Sequence, residues 1–123
     1  MLNILAVGAG GFIGAVLRYL IGLVPLNETY VFPWKTFIIN IIGCAVIGAI
    51  AVSVSRNVQW NPQMLLFMKV GLCGGFTTFS TFALETGELL KSGHASAAFA
   101  YVVLSAAIGV AVIFAIEYIS GRF

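Results

Sequence analysis

Side chains that can hydrogen-bond a small solute are concentrated in an otherwise apolar part of this chain. Residues 74–82 read Gly-Gly-Phe-Thr-Thr-Phe-Ser-Thr-Phe, in which hydroxyl groups alternate with phenyl rings. A hydroxyl can donate a hydrogen bond, and a phenyl ring presents a positive edge. Weak donors at several positions allow an ion to leave as well as to enter. This chemistry favours a small, strongly hydrogen-bonding anion over a cation.

Further polar residues are expected at the same depth as this run. If helices rise by ~1.5 Å per residue, polar groups from three predicted helices fall in one half of a membrane. Polar groups inside a membrane cost free energy. A single such residue often only joins two helices, whereas a set that converges at one depth predicts a pathway for a solute. The set comprises Thr36, Asn40, Ser80, Thr81, Glu85, Tyr101 and Ser105, with Phe79 and Phe82 at i, i+3 spacing and Arg18 near the matching end of the first helix.

The elements that must position these residues are membrane helices. The chain is 61% hydrophobic and 8% charged, with a mean hydropathy of +1.09, which is outside the range of soluble domains. Four apolar stretches predict helices at about 3–24, 34–55, 63–90 and 95–119, each long enough for the ~20 residues that a span requires. Residues 1–123 then form a single all-α membrane domain with four spans and no room for a soluble domain.

The third predicted helix contains residues that form helices poorly. Paired glycines, Gly74 and Gly75, are followed by the β-branched Thr77 and Thr78. We therefore predict that this helix is broken at mid-membrane. An unwound backbone survives at that depth only where protein buries it or where it lines a wet cavity, so the break is expected to be functional.

Charge placement gives no preferred orientation. Arg56 and Arg122 fall on one predicted side of the membrane, and Lys35 and Lys91 fall on the other. This balance favours insertion in both directions, and two oppositely inserted copies would form an antiparallel homodimer with the symmetry of an inverted repeat. Pairs of small residues that allow close helix approach occur in every span. They are Gly10 with Gly14, Gly11 with Ala15, Cys44 with Gly48, Gly71 with Gly75, and Ser105 with Gly109.

Catalytic and nucleotide-binding functions are poorly supported. The glycines of residues 8–14 resemble a dinucleotide loop, but Ile13 stands where that motif needs its last glycine. His94 lies in a predicted turn, and Cys44 and Cys73 fall inside spans, where small residues usually serve packing. We expect no enzymatic activity and no nucleic-acid partner.

The motifs together resemble the Fluc (CrcB) family of bacterial fluoride channels. The resemblance rests on residues 74–82, on Gly14-Ala15-x-x-Arg18-Tyr19 in the first span and on Asn40-x-x-Gly43-Cys44 in the second. It implies a dual-topology, antiparallel homodimer in the inner membrane, with two pores that export fluoride passively and limit its toxicity.

The resemblance also implies roles for individual residues. Phe79 and Phe82 would face the pore and Asn40 would be its amide. A polar track would be formed by Thr36, Ser80, Thr81, Tyr101 and Ser105, with Glu85 near the end of the pore. A structural sodium ion at the dimer centre would be held by the backbone carbonyls of Gly74 and Thr77, with Arg18 and Gly75 in structural roles.

Two departures from the family pattern and two rival functions remain. Lys35 stands where the family usually has glycine, and Gly109 stands where some relatives carry serine. A proton-coupled small multidrug exporter is also a short four-span protein, but it needs a carboxylate in the first helix, and this helix has none. A membrane subunit that only packs against a partner would conduct no ion.

Overall fold

The third membrane span of this all-helical chain is assembled from several segments, whereas the other three spans are single helices. The computed structural model describes residues 1–26 and 30–122. The segments are α1 (Leu2–Gly22), α2 (Trp34–Ser55), α3 (Pro62–Leu66), a π-helix (Phe67–Cys73), α4 (Gly74–Phe76), α5 (Phe79–Lys91) and α6 (Ala95–Ile119). The predicted bounds 34–55 and 95–119 agree with α2 and α6, and α1 ends two residues before the predicted position 24.

Length and composition make the chain a multi-pass membrane protein. Within the described residues, four helical stretches are long and apolar enough to cross a bilayer. Their mean hydropathies are 1.9 for Leu2–Gly22, 2.5 for Trp34–Ser55, 1.3 for Pro62–Lys91 and 2.6 for Ala95–Ile119. The third value is the lowest, and this span contains charged residues such as Lys69 and Glu85 as well as most of the hydroxyl groups identified in the sequence.

The ends of the third span are set by local chemistry. The Asn61 side chain accepts a hydrogen bond of 2.9 Å from the Gln63 N–H, and Pro62 occupies the first turn, where its missing N–H costs nothing. At the other end, Gly93 adopts φ +82°, a left-handed conformation that glycine tolerates. The N–H of His94 then donates to the Leu89 carbonyl at 2.8 Å and closes α5.

Two extended residues interrupt the third span. The backbone remains helical through Phe76, and Thr77 then adopts φ −80° and ψ 157°. Thr78 is also extended, at φ −150° and ψ 113°, and α5 starts at the next residue. The side chain of Thr78 accepts a hydrogen bond from the Thr81 N–H and so caps the new helix.

Glycines let α1 pack closely against the first half of the third span. A Cβ added at Gly71 would lie 2.7 Å from the Val7 carbonyl oxygen and 2.8 Å from the Gly10 Cα. One added at Gly75 would lie 2.5 Å from the Gly11 carbonyl oxygen. Real Cβ atoms are not found this close to backbone, so this interface requires glycine on both helices.

The core of the subunit forms where α2, α5 and α6 meet. Leu89, Ala98 and Tyr101 are buried there, and Tyr101 has no exposed surface. Phe32 and Phe82 stack around the Tyr101 ring at centroid distances of 5.4 and 4.9 Å. Most other large apolar side chains face outward, as lipid or a second subunit would require.

Candidate functional site

The extended segment is held by an amide from the neighbouring span. The Asn40 Nδ2 group on α2 donates to the Thr78 carbonyl at 3.2 Å, and the Asn40 Oδ1 accepts from the Thr78 N–H at 2.9 Å. The side chain thus substitutes for a paired strand and satisfies both backbone groups of one extended residue. Since each amide nitrogen has two hydrogens, Asn40 retains one donor beyond this clamp.

The Thr78 hydroxyl is the centre of a second set of contacts. It accepts from the Thr81 N–H at 3.2 Å and lies 3.0 Å from the Thr81 Oγ1 and 3.3 Å from the Ser80 Oγ. The hydroxyls predicted from the sequence are therefore brought together around the start of α5. Ser80 and Thr81 engage Thr78 rather than a distant helix.

The interruption releases backbone carbonyls of Gly74–Thr77 from helical pairing, and the two predicted metal ligands are among them. In an unbroken helix the Thr78 N–H would donate to Gly74 and the Thr81 N–H would donate to Thr77. Here those N–H groups donate to Asn40 and to the Thr78 hydroxyl. The carbonyls of Gly74 and Thr77, which are the predicted metal ligands, lose their helical donors for this reason.

Arg18 supports the same turn from α1. Its Nε donates to the Gly75 carbonyl at 3.2 Å, near the end of α4, where a carbonyl has no following helical turn. Gly43 supports it from α2, since a Cβ at this position would overlap the Thr77 methyl group. Arg18 therefore contacts the backbone of the interruption and lies apart from the polar side chains that we grouped from the sequence.

A cavity of about 610 Å³ opens beside the interruption. Its walls come from α2, from the third span on both sides of the interruption, and from α6. The lining residues are Asn40, Gly43, Cys44, Ile47, Lys69, Cys73, Gly74, Thr77, Thr78, Phe79, Phe82, Val102, Ser105 and Ala106. The cavity is mostly apolar, and Asn40, Thr77, Thr78 and Ser105 supply its uncharged polar side chains.

Ser105 is the polar group of this cavity with an unused hydrogen-bonding capacity. Its Oγ is buried and has no hydrogen-bond partner among the described residues. A buried hydroxyl without a partner costs about 1–3 kcal/mol, so the site is suited to a solute that accepts its proton. Together with the second amide hydrogen of Asn40, it offers two donors to such a solute.

A carboxylate network lies further along α5. Thr36 Oγ1 donates to Glu85 Oε1 at 2.7 Å, and the Tyr101 hydroxyl donates to Glu85 Oε2 at 2.7 Å. Both carboxylate oxygens are thus satisfied by neutral donors from different helices. This arrangement brings together three of the predicted residues, whose numbers are far apart in the sequence.

The two phenylalanines of the motif connect the cavity to this network. The rings of Phe79 and Phe82 lie 5.7 Å apart at an interplanar angle of 42°, and Phe82 meets Tyr101 edge-on. Phe79 is 79% exposed although it lines the cavity. The cavity is therefore open on the side of Phe79 in this subunit.

Two residues of the site were not predicted as such from the sequence. Thr78 was noted only as a neighbour of the phenylalanines, although its place three residues before Thr81 is a capping signal. Lys69 is not among the site residues predicted from the sequence, yet it lines the cavity.

Comparison with known proteins identifies relatives over nearly the whole chain. Residues 5–116 match the family model described as CrcB-like protein, Camphor Resistance (CrcB). A protein of Chlorobaculum tepidum named fluoride-specific ion channel FluC is 46% identical, with 93% of this chain and 90% of the relative aligned. Proteins of the same name from Phocaeicola vulgatus (43% identical; 89% of this chain, 91% of the relative) and Rhizobium meliloti (40%; 94% and 93%) are also similar.

Proposed function

This chain belongs to the CrcB family, and on that premise we propose that it is a fluoride channel of the bacterial inner membrane. It exports fluoride passively and so limits fluoride toxicity. It acts as an antiparallel homodimer with two pores. The observation that carries this proposal is the cavity at the interruption, where Asn40 and Ser105 offer unused donors inside a membrane span.

Fluoride is small and strongly hydrated, so leaving water requires replacement donors along its path. The second amide hydrogen of Asn40 and the hydroxyl of Ser105 supply two at the polar end of the cavity. Neither donor carries a charge, so neither holds the anion too tightly for it to move on. Next come Phe79 and Phe82, whose ring edges stabilise an anion without a fixed charge.

The network around Glu85 forms the far end of this path. Thr36 and Tyr101 donate to its carboxylate, which keeps that group satisfied within the span. A carboxylate disfavours a lingering anion nearby, so this end favours release over binding. The proposed path therefore runs from the uncharged donors Asn40 and Ser105, past the ring edges of the two phenylalanines, to the Glu85 carboxylate, which repels the ion and so favours its release.

Two observations support the antiparallel dimer. The basic residues at the ends of the spans or just beyond them are balanced between the two sides, which removes the usual preference for one orientation. Phe79 is largely exposed beside the cavity, so a second subunit is the natural cover for that wall. In the second subunit of such a dimer the same surfaces recur by symmetry, which gives two equivalent pores.

The chemistry of the interruption fits a structural sodium ion. Hard cations prefer oxygen ligands, and the carbonyls of Gly74 and Thr77 lack the helical N–H donors that would otherwise occupy them. When bound between two subunits, sodium would neutralise these oxygen dipoles and hold the two interrupted helices together. Arg18 on Gly75 and Asn40 on Thr78 fix the backbone that presents them.

The direct test is ion efflux from liposomes that contain only this protein. Vesicles are loaded with potassium fluoride or potassium chloride, and valinomycin starts the flux by letting potassium follow. A fluoride or chloride electrode records the release, with protein-free vesicles as the control. We expect rapid release of fluoride and little release of chloride. A folded protein that releases neither ion would instead support the role of a non-transporting subunit.

A further inference from the structure

Lys69 is the charged residue of the cavity wall. Among the described residues that line the cavity, it is the only one with a charged side chain. It lies in the π-helix Phe67–Cys73, eight residues before Thr77, or roughly 12 Å along a helix. Glu85 lies on the other side of the interruption, where its two oxygens already accept hydrogen bonds. The two charges thus stand at opposite ends of the proposed path.

Nothing in the described part of the chain neutralises this lysine. Among the described residues, 1–26 and 30–122, the ion pair that is found joins Arg122 to Glu117. No hydrogen bond in this part of the chain involves the Lys69 ammonium group. A charged residue in a span is costly and usually marks an ion pathway or a functional partner. The Lys69 side chain is exposed on this subunit and finds no partner among its described residues, which favours a role in the cavity that it lines.

The local backbone also supports a functional role. π-Helical turns are rare and are frequently found at functional sites. Their i→i+5 register turns side chains away from the positions they would have in an α-helix. In this segment Gly71 meets α1, while Lys69 and Cys73 line the cavity on another side. The register therefore allows one short segment both to pack closely and to present an ammonium group to the cavity.

We infer that Lys69 attracts anions into the cavity and so lowers the fluoride concentration at which flux is half-saturated. This inference rests on the proposed function. A cavity that is lined by charge of one sign and has walls of low dielectric constant concentrates ions of the opposite sign. Lys69 lies on a different span from the donors Asn40 and Ser105, and in this inference it raises the local concentration of the ion without acting as one of its ligands.

The experiment compares fluoride dependence in Lys69→Gln, Lys69→Arg and wild-type proteoliposomes. The matched control is Lys91→Gln, which removes an exposed lysine at the end of α5 that does not line the cavity. In Lys69→Gln we expect the half-saturating fluoride concentration to rise about three- to tenfold, with a maximal rate within about twofold of wild type. Lys69→Arg and Lys91→Gln should match the wild type.

A salt titration separates recruitment from a merely structural effect. An impermeant salt screens charge over about 10 Å at 0.1 M, so it should raise the half-saturating concentration of the wild type and leave that of Lys69→Gln unchanged. A wild-type curve insensitive to salt would overturn the inference without any variant, even if Lys69→Gln does not fold. Unchanged half-saturation in folded Lys69→Gln would also overturn it. Wild-type vesicles that release no fluoride would instead overturn the proposed function, and this inference with it.

Discussion

Replacing Asn40 by Asp separates the pore role of this residue from its role in holding the interruption. The change converts the amide nitrogen into an oxygen and keeps the shape of the side chain. The Thr78 N–H, which lies 2.9 Å from Oδ1, keeps its acceptor. The Thr78 carbonyl, 3.2 Å from Nδ2, loses its donor and faces an oxygen. Of the two hydrogen bonds between residue 40 and the Thr78 backbone, one is kept and one is lost. The second amide hydrogen, which is the donor available to a solute, is also lost.

The expected effects on stability and on conduction differ in size. Leaving the Thr78 carbonyl without this donor costs about 1–3 kcal/mol, which the remaining packing can absorb. A carboxylate about 4 Å from a passing fluoride costs roughly 4 kcal/mol at an effective dielectric constant of about 20. At 1.4 kcal/mol per factor of ten, occupancy falls about a thousandfold. We therefore expect Asn40→Asp to reduce fluoride flux at least about a hundredfold while the protein still folds.

The assay is fluoride efflux at matched protein content, with size-exclusion chromatography as the check of folding. The control is Asn61→Asp, the same chemical change at the cap of α3, where Asp caps a helix as well as Asn. It should retain wild-type flux. If Asn40→Asp elutes as the wild type does and also conducts as the wild type does, Asn40 serves only to hold Thr78 and the proposed pore is misplaced.

Three further predictions follow from the same contacts. Phe79→Ile or Phe82→Ile should lower fluoride flux strongly in a protein that still assembles, because an aliphatic side chain has no positive edge. The control is Phe99→Ile, which lies outside the cavity. Unchanged flux in both pore variants would mean that the two rings serve only in packing. Reporters fused to the C-terminus should appear on both sides of the membrane, and a single-sided population would contradict the antiparallel model. Gly75→Val should prevent folding, because its Cβ would meet backbone of α1 at 2.5 Å, whereas Gly74→Val, with nothing within 4 Å in its own subunit, should fold but fail to dimerise or conduct. A Gly74→Val protein whose two subunits crosslink as in the wild type, and which also conducts as the wild type does, would contradict this last prediction.

The spans could be predicted closely because membrane insertion depends on composition over long windows. Runs of apolar residues predicted the bounds of α2 and α6 to the residue, since Pro33 precedes and Arg56 follows α2, and His94 precedes and Ser120 follows α6. The end of α1 was placed too late, at 24 instead of Gly22. Val24 is apolar, and hydropathy does not distinguish the last helical turn from an apolar turn that follows it.

The polar contacts were harder to predict because sequence gives depth but not direction. Thr36, Glu85 and Tyr101 were expected at a similar depth, and depth alone did not show that both hydroxyls donate to one carboxylate. Lys69 was missed for a related reason. In a π-helix, the spacing rules that assign residues to the faces of an α-helix do not apply, and the sequence carried no clear signal of that register.

The glycines of the motif show why residue type alone could not assign their roles. Gly71 and Gly75 face α1, where a Cβ would meet backbone, and they are explained within one subunit. Gly74 lies between them in sequence, lines the cavity and faces open space in its own subunit. Packing inside the subunit therefore does not require glycine at this position. A requirement for glycine at this position would come from a neighbour outside the subunit, and Phe79 is exposed beside the same cavity. Both observations point to the face on which the second copy of the proposed dimer would sit.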